Sequence, residues 1–152
     1  MDDDADIVEL KEKFLKRGDI TSEGTFKLEA DKLAGFAKAT GQTASRFTDP
    51  ADPDFQAAPT FPCSLATGRM LPQDFPDFGG MGMDAGKAVE LLQPIRPGVT
   101  ITGKSHLHDI YTKTGRSGRM IFYVSRLELF DEDGNHLANS DSRNVIREKP
   151  TG

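Results

Sequence analysis

The side chains best suited to chemistry stand near residue 106, where two histidines and an aspartate lie close together. His106 and His108 are two residues apart, so on a strand they share a face, and Asp109 follows them. Two imidazoles at this spacing can bind zinc, but a third ligand at metal spacing is not visible in the sequence. We therefore favour polar residues on the exposed face of a strand, and we expect neither a metal nor a cofactor.

Three aspartates form a second candidate group, since Asp49, Asp52 and Asp54 occupy a Pro-containing stretch where a carboxylate could act in catalysis. Asp and Pro in loops usually serve turns, so we favour that interpretation. Cys63 has no sequence neighbour that would activate a thiol, which favours a core thiol over a nucleophile. His136 stands beside an Asp-Gly turn and is expected to face solvent.

The composition narrows the class of protein. The chain has 152 residues, which suits one domain, and 24 acidic against 19 basic residues give a net charge of −5. No basic block offers a phosphate-binding stripe, so we expect no nucleic-acid partner. The longest apolar runs, such as MIFYV at 120–124, are far too short to span a membrane. The acidic N-terminus and the single cysteine favour a cytoplasmic location.

The N-terminal half is typical of helices and loops. A helix is predicted over residues 5–18, because apolar residues recur on one side of it: Ile7, Leu10, Phe14 and Leu15. Residues 25–41 begin with a short alternating piece and then turn helical, and Gly41 ends that helix. Residues 42–61 are rich in Asp, Pro, Thr and Ala, which indicates a long loop. The small and apolar residues of 59–71 predict a helix that is packed on all sides.

The C-terminal half is typical of strands joined by tight turns. Strands are predicted over 87–95, 99–112, 119–130 and 136–148, and the Asp-Gly at 133–134 predicts a hairpin. The strand at 119–130 has the clearest apolar face: Ile121, Tyr123, Leu127 and Leu129. The strand at 99–112 has a weaker one: Ile101, Leu107 and Tyr111. Helices followed by long antiparallel strands predict an α+β hot-dog fold, in which a curved sheet wraps around a central helix.

Three ordered segments resemble the MaoC-like dehydratases, a hot-dog family of (R)-specific enoyl-thioester hydratases. LEADKLAGFAKATGQ at 28–42 is similar to the helix that leads into the family's catalytic loop. AAPTFPCSLA at 57–66 is similar to the entry of its central helix, and 91–146 to its last strands and turns. The resemblance implies a hot-dog domain over 25–152, preceded by a helical extension over 1–24.

The loop that carries the family's chemistry differs here at its working positions. In catalytic members, a Gly-Asp-x-Asn-Pro-x-His loop supplies the acid and the base. Gly41 matches the Gly, whereas Gln42 stands at the Asp position and Phe47 at the His position. An amide and a phenyl ring cannot pass protons at neutral pH. The resemblance therefore implies the non-catalytic, N-terminal-type half of the family, with no catalytic residue of its own.

The resemblance also implies where an acyl thioester would bind. Thr60 and Phe61 match the entry of the family's central helix, where backbone N–H groups either polarise the thioester carbonyl or simply begin a helix. Apolar residues of irregular segments either line an acyl pocket or pack under loops: Phe47, Phe55, Phe75, Phe78, Met81 and Met83. Four arginines either bind phosphates of coenzyme A or a phosphopantetheine arm, or lie at the surface: Arg69, Arg96, Arg116 and Arg119.

Three functions remain open at this point. The first is an acyl-thioester-binding subunit of an (R)-specific enoyl-CoA or acyl-carrier hydratase (3-hydroxyacyl dehydratase) of lipid metabolism. A catalytic hot-dog partner would supply the Asp and His. This favours a hetero-oligomer, and a homodimer stays open. The second is a self-sufficient hot-dog thioesterase or hydratase that uses an aspartate of 49–54. The third is a non-enzymatic protein that binds acyl thioesters.

Overall fold

One antiparallel sheet of five strands carries the fold in residues 4–148, the part of the chain that the computed structural model describes. The strands are β1 (Ile20–Lys27), β2 (Gly82–Leu91), β3 (Thr100–Gly115), β4 (Gly118–Phe130) and β5 (His136–Arg147). Their order across the sheet is β1-β3-β4-β5-β2. The three C-terminal strands therefore form the middle of the sheet, and the two earlier strands form its edges.

Short helices accompany the sheet. They are α1 (Ala5–Leu10), which continues as a π-helical segment over Lys11–Leu15, α2 (Ala30–Ala39), α3 (Ser45–Thr48) and a 3-10 turn over Phe61–Ser64. The predicted α+β class is confirmed. Among residues 4–148, none of these helices is long and apolar enough to cross a membrane.

Buried and more exposed side chains alternate along β4, and this alternation shows which face of the sheet is covered. Ile121, Leu127 and Leu129 are at most 6% exposed, and Tyr123 is 9% exposed, so the predicted apolar face is confirmed. We call the face that they share the inner face and the opposite one the outer face. Tight turns at glycines with positive φ allow the three long strands to follow one another as hairpins.

A bulge in β3 corrects the predicted placement of Tyr111. The register against β4 shifts between Leu107 and Asp109, so one extra residue reverses the alternation beyond that point. Ile110 is consequently fully buried on the inner face. Tyr111 lies on the outer face instead, where its ring stacks on Phe122 at a centroid distance of 4.9 Å.

The buried helix predicted over 59–71 is wrong, because only Phe61–Ser64 forms a helical turn. Leu65 leaves the turn in an extended conformation, with φ −96° and ψ 139°. The Thr67 hydroxyl then bonds to serine hydroxyls of β1 and β3, at 2.7 and 2.8 Å. Such side-chain bonds compete with the hydrogen bonds of a helix, and Gly68 follows with φ 127°, a helix-breaking conformation.

Two separate clusters cover the inner face in place of one long helix. The first core cluster joins α2 and the 3-10 turn to one half of the sheet, and its largest members include Leu33, Phe55, Phe61, Ile101 and Leu129. The second core cluster joins the N-terminal helix to the other half, and its buried members are Ile7, Phe14, Leu107, Ile110, Ile121 and Tyr123. The inner face is therefore covered from two sides, with a gap between.

The N-terminal helix is thus part of the core. Ile7 is fully buried and Phe14 is 2% exposed, and Leu10 and Leu15 pack beside them, as the helical spacing predicted. Gly18 ends the segment with φ 62°. The predicted domain boundary after residue 24 falls inside β1, which begins at Ile20. The division into an extension and a hot-dog domain stays a prediction.

An ion-pair cluster anchors the beginning of α1. The Arg119 guanidinium on β4 reaches Asp4 at 2.9 Å, Asp6 at 2.8 Å and Glu148 at 2.7 Å. The hydrogen bond from Arg119 is the main reason that the pKa of the Asp6 carboxyl lies below its usual range. The charges of these three carboxylates therefore help to dock the N-terminal helix.

We expect Phe14→Ala to lower the free energy of unfolding by about 3–5 kcal/mol, because it opens a cavity in the second core cluster. Val8→Ala on the same helix is the control; Val8 is 47% exposed, so its loss should stay within about 0.5 kcal/mol. Urea denaturation followed by circular dichroism measures both. Equal effects of the two changes would contradict the docked position of this helix.

We expect acid to weaken the Asp6 contact. The pKa of Asp6 is lower in the folded chain than in the unfolded chain, where it is about 3.9. Its contribution to stability is therefore complete above that value and is lost as the pH falls through the folded pKa. The stability difference between the native chain and Asp6→Asn should shrink between pH 5 and pH 2. The control is Glu9→Gln, an exposed change in the same helix, and a difference that does not vary with pH would disprove the assignment.

Candidate functional site

The loop in which the sequence resembles the family's catalytic segment begins where α2 ends. Gly41 has φ 85°, and the N–H groups of Gly41 and Gln42 donate to carbonyls of the last helical turn at 3.1 and 2.9 Å. Gly41 therefore ends the helix, as predicted. Gln42 is half-buried. The chain then enters α3, which carries Phe47.

Phe47 is a packing residue in this structure. Its side chain is 7% exposed and lies in a small cluster with Ala37 and Ala58. The guanidinium of Arg46 lies 4.7 Å from the centre of the Phe47 ring, a cation–π distance. The ring ties α3 to α2, and its hydrocarbon surface offers no group that donates or accepts a proton.

The neighbouring aspartates serve turns, as the composition of this loop predicted. Asp49 accepts a hydrogen bond from the N–H of Ala51 at 2.9 Å, and Asp52 accepts one from the N–H of Asp54 at 2.8 Å. A hydrogen bond from the Ser45 hydroxyl is the main reason that the pKa of Asp52 is lowered. These carboxylates shape the loop, and a lowered pKa makes Asp52 a weaker base at neutral pH.

The helix entry at Thr60 is short. The N–H of Phe61 donates to the carbonyl of Ala58 at 2.9 Å, so a thioester carbonyl would have to replace that bond. Pro62 has no N–H to offer. The Phe61 side chain is 1% exposed and meets Phe36 edge to face at 5.3 Å, in the first core cluster. Thr60 is exposed, and its predicted contact with a ligand stays a prediction.

The other predicted pocket residues are distributed between the core and the surface. Phe55 is 4% exposed in the first core cluster, and Phe75 and Phe78 pack against the second. Met81 is 76% exposed and Met83 is 48% exposed, at the start of edge strand β2. The structure therefore does not bring these five residues together into one pocket.

A cavity of about 210 Å³ lies in the gap between the two core clusters. Its floor is the inner face of the sheet, and residues 65–70 form its other side. Most of its sheet residues are serines, and we call it the serine-lined cavity: Ser105, Ser125, Ser140 and Ser142, with Leu127 among them. Serines at inward positions of β3, β4 and β5 were the available signal for this cavity, which the sequence analysis missed.

The outer face carries the histidines. Nδ1 of His106 lies 3.1 Å from a Glu128 oxygen, and burial is the main reason that the pKa of His106 is lowered. His108 is exposed, as predicted. His136 faces solvent only in part: 32% of its side chain is exposed, while the ring stacks on Phe130 at 4.8 Å and contacts Asn139 at 2.7 Å.

Residues 4–148 contain no group of three or more His, Cys, Asp or Glu side chains placed to hold a metal ion. Cys63 is only half-buried, although Phe61 and Pro62 of the same 3-10 turn are buried, so its thiol lies at the edge of the core and not within it.

Two of the four candidate phosphate-binding arginines have carboxylate partners. Arg119 belongs to the ion-pair cluster of α1, and Arg96 contacts Asp54 at 3.0 Å. Arg116 and Arg69 are exposed. Arg69 borders a polar cavity that is also lined by Arg17 and Asp74. The hydrogen bond from Arg17 lowers the pKa of the Asp74 carboxyl to about 2, and this ion pair joins the N-terminal segment to the loop before β2.

Comparisons with known proteins agree with this architecture. A family model described as "FAS1-like, dehydratase domain region" matches residues 17–140. No curated protein matches the sequence. Many solved structures do, and the sequence identities of the examples below are under 25%, so they support the fold alone.

A MaoC-like dehydratase from Phytophthora capsici aligns with a TM-score of 0.63 and 24% identity over 93% of this chain; the chain spans half of that protein's length. The ChsH1-ChsH2 complex from Mycobacterium tuberculosis aligns with a TM-score of 0.67 and 15% identity over 97% of this chain and 94% of the other. The HadBC complex, a 3R-hydroxyacyl-ACP dehydratase of the same organism, aligns with a TM-score of 0.64 and 18% identity over 84% and 95%.

The hot-dog fold expected from the resemblance is confirmed by these alignments, although the expected central helix is here a single 3-10 turn. Because the family model covers most of the sequence and the strand order is that of one continuous curved sheet, the chain belongs to the FAS1-like dehydratase domain region family of hot-dog proteins.

Proposed function

We propose that this chain is the acyl-thioester-binding, non-catalytic subunit of an (R)-specific enoyl-thioester hydratase or 3-hydroxyacyl dehydratase. A hot-dog partner supplies the acid–base pair. The observation that carries the proposal is the loop after α2, where Gln42 and Phe47 stand at the two acid–base positions. The substrate is an acyl thioester of coenzyme A or of a carrier protein, within lipid metabolism in the cytoplasm.

The burial of Phe47 supports the assignment of the acid–base pair to the partner. A positioned acid–base group contributes about a hundred- to ten-thousand-fold in rate, and both positions here lack one. Phe47 of α3 packs against Ala37 of α2 and against Ala58, so its ring stabilises the loop in which a catalytic member holds an imidazole. Asp49 and Asp52 are engaged in turns, which weighs against a relocated base and against the self-sufficient enzyme.

The missing central helix supports an acyl-binding role. A long helix would fill the inner face, whereas here a single turn leaves the serine-lined cavity open between the core clusters. An acyl chain needs such space, and the partner then needs to place only the reactive carbons at its own acid–base pair. The ChsH1-ChsH2 and HadBC structures are complexes of two named subunits, which is consistent with a paired assembly.

The edge strand β2 is the surface that we assign to the partner. It pairs with β5 on one side, and within residues 4–148 no strand lies along its other side. Large apolar side chains are exposed along it and just beyond it: Met81, Met83, Leu91 and Leu92. An unpaired edge with apolar side chains is a template for a strand of another chain. A second hot-dog sheet fits this edge by continuing the hydrogen-bond ladder.

We expect the purified chain to be inactive on crotonyl-CoA and longer enoyl-CoA thioesters, and we expect hydration when a co-encoded hot-dog protein with an intact Gly-Asp-x-Asn-Pro-x-His loop is added. Gln42→Ala should leave the rate of the complex within about twofold, because no proton passes through this side chain. Absorbance of the enoyl thioester follows the reaction.

Turnover by the isolated chain that Asp52→Asn or Asp54→Asn abolishes would favour the self-sufficient enzyme. Thioester binding without turnover in any combination would favour a pure binding protein.

We expect the double change Met83→Glu and Leu91→Glu to weaken association by more than about tenfold, because the new charges would be buried without partners in the interface. Both side chains are more than 40% exposed in the single chain, so the melting temperature should hardly change. Sedimentation of the chain with its partner measures the effect. Val8→Glu, an equally exposed change on α1, is the control. Loss of association in the control alone would move the interface away from β2.

A further inference from the structure

The serine-lined cavity has an unusual floor for the inner face of a sheet. Its four serines lie on three neighbouring strands, at positions where inward residues normally form an apolar core. Ser125 of β4 and Ser142 of β5 are direct cross-strand partners, and Ser105 and Ser140 both stand opposite Leu127. Hydroxyls therefore surround one leucine in a compact patch.

Two of these hydroxyls have partners within the protein. Ser105 bonds to Thr67 at 2.8 Å, and Ser142 accepts a hydrogen bond from Nζ of Lys87 at 2.9 Å. These contacts close the patch at both ends, towards residues 65–70 and towards edge strand β2. The two serines between them, Ser125 and Ser140, have no such hydrogen-bond partner in the part of the chain that the structure describes.

Ser125 is 4% exposed and Ser140 is 5% exposed. Neither hydroxyl makes a hydrogen bond to another group in residues 4–148. Every side-chain N or O atom that is fully enclosed in this part of the chain does have a partner, so these two hydroxyls are not fully enclosed. The two hydroxyls therefore keep their remaining surface towards the cavity that they line. A plain hydrocarbon in the cavity would seal them from water without a partner, which is unfavourable.

We infer that the serine-lined cavity takes a segment of the acyl group that carries a hydroxyl or keto oxygen, with Ser125 and Ser140 as its hydrogen-bond partners. The inference rests on the proposed acyl-binding function and specifies its substrate class. A hydroxyl side chain both donates and accepts, so it matches either oxygen function. The cavity volume of about 210 Å³ is smaller than a complete small-molecule site, so the thioester and its carrier lie outside it.

Isothermal titration calorimetry of the full-length chain, alone and with its hot-dog partner, tests this substrate class. The ligands are octanoyl-CoA and hydroxyoctanoyl-CoA thioesters with the hydroxyl at carbon 5, 6, 7 or 8. We expect at least one hydroxylated thioester to bind about tenfold or more tightly than octanoyl-CoA. Ser125→Ala with Ser140→Ala should remove that preference and leave octanoyl-CoA binding as tight or tighter.

The matched control is Ser117→Ala, a change in the exposed β3–β4 turn, which should keep the preference. Thermal denaturation separates recognition from folding: the double variant should melt at the same or a higher temperature, because it removes two buried hydroxyls without protein partners. Equal binding of all thioesters by the native chain, or a preference that survives in the double variant, would overturn the inference and leave the proposed function intact. If no thioester binds in either preparation, the proposed function fails together with it.

Discussion

The constraint on which the structure depends is that the inner face of the sheet must be covered, although the chain has no long helix to cover it. Apolar side chains of β3 and β4 would lose much of their stabilising effect if they stayed in water. The N-terminal helix covers one half through Ile7 and Phe14, and α2 with the 3-10 turn covers the other half through Leu33 and Phe61. The N-terminal helix thus covers part of the inner face that a central helix was expected to cover.

This divided cover explains where the serine-lined cavity and the loop of Gln42 and Phe47 lie. Between the clusters, the sheet carries four serines around Leu127, and residues 65–70 cross above them without forming a helix. Thr67 fastens this crossing to β1 and β3 through its hydroxyl. The space that a helix would fill becomes the serine-lined cavity. The loop of Gln42 and Phe47 is held by packing of Phe47 against Ala37 of α2 and against Ala58.

The charged side chains form two sets, one that holds the N-terminal segment and one on the outer face of the sheet. Arg119 gathers three carboxylates at the start of α1, and Arg17 pairs with Asp74 of the loop before β2. Both groups fasten the N-terminal segment to the body of the fold, so the arginines there serve docking rather than phosphate binding. On the outer face, Glu128 lies between His106 and His136, at 3.1 and 3.7 Å.

Local patterns in the sequence determined much of this protein: the long C-terminal strands from their period of two, the hairpins from Asp-Gly and Gly, the N-terminal helix from Ile7, Leu10, Phe14 and Leu15, and the turn role of the aspartates. The prediction that Gln42 and Phe47 leave the loop without an acid–base pair also comes from the sequence, because it depends on residue types and not on geometry. Tertiary structure alone decided the rest. A bulge in β3 turned Tyr111 outward, and hydroxyl contacts between Thr67 and distant strands replaced the predicted helix. The serine-lined cavity arises only when β3, β4 and β5 align, since its residues are far apart in the chain and no local period connects them.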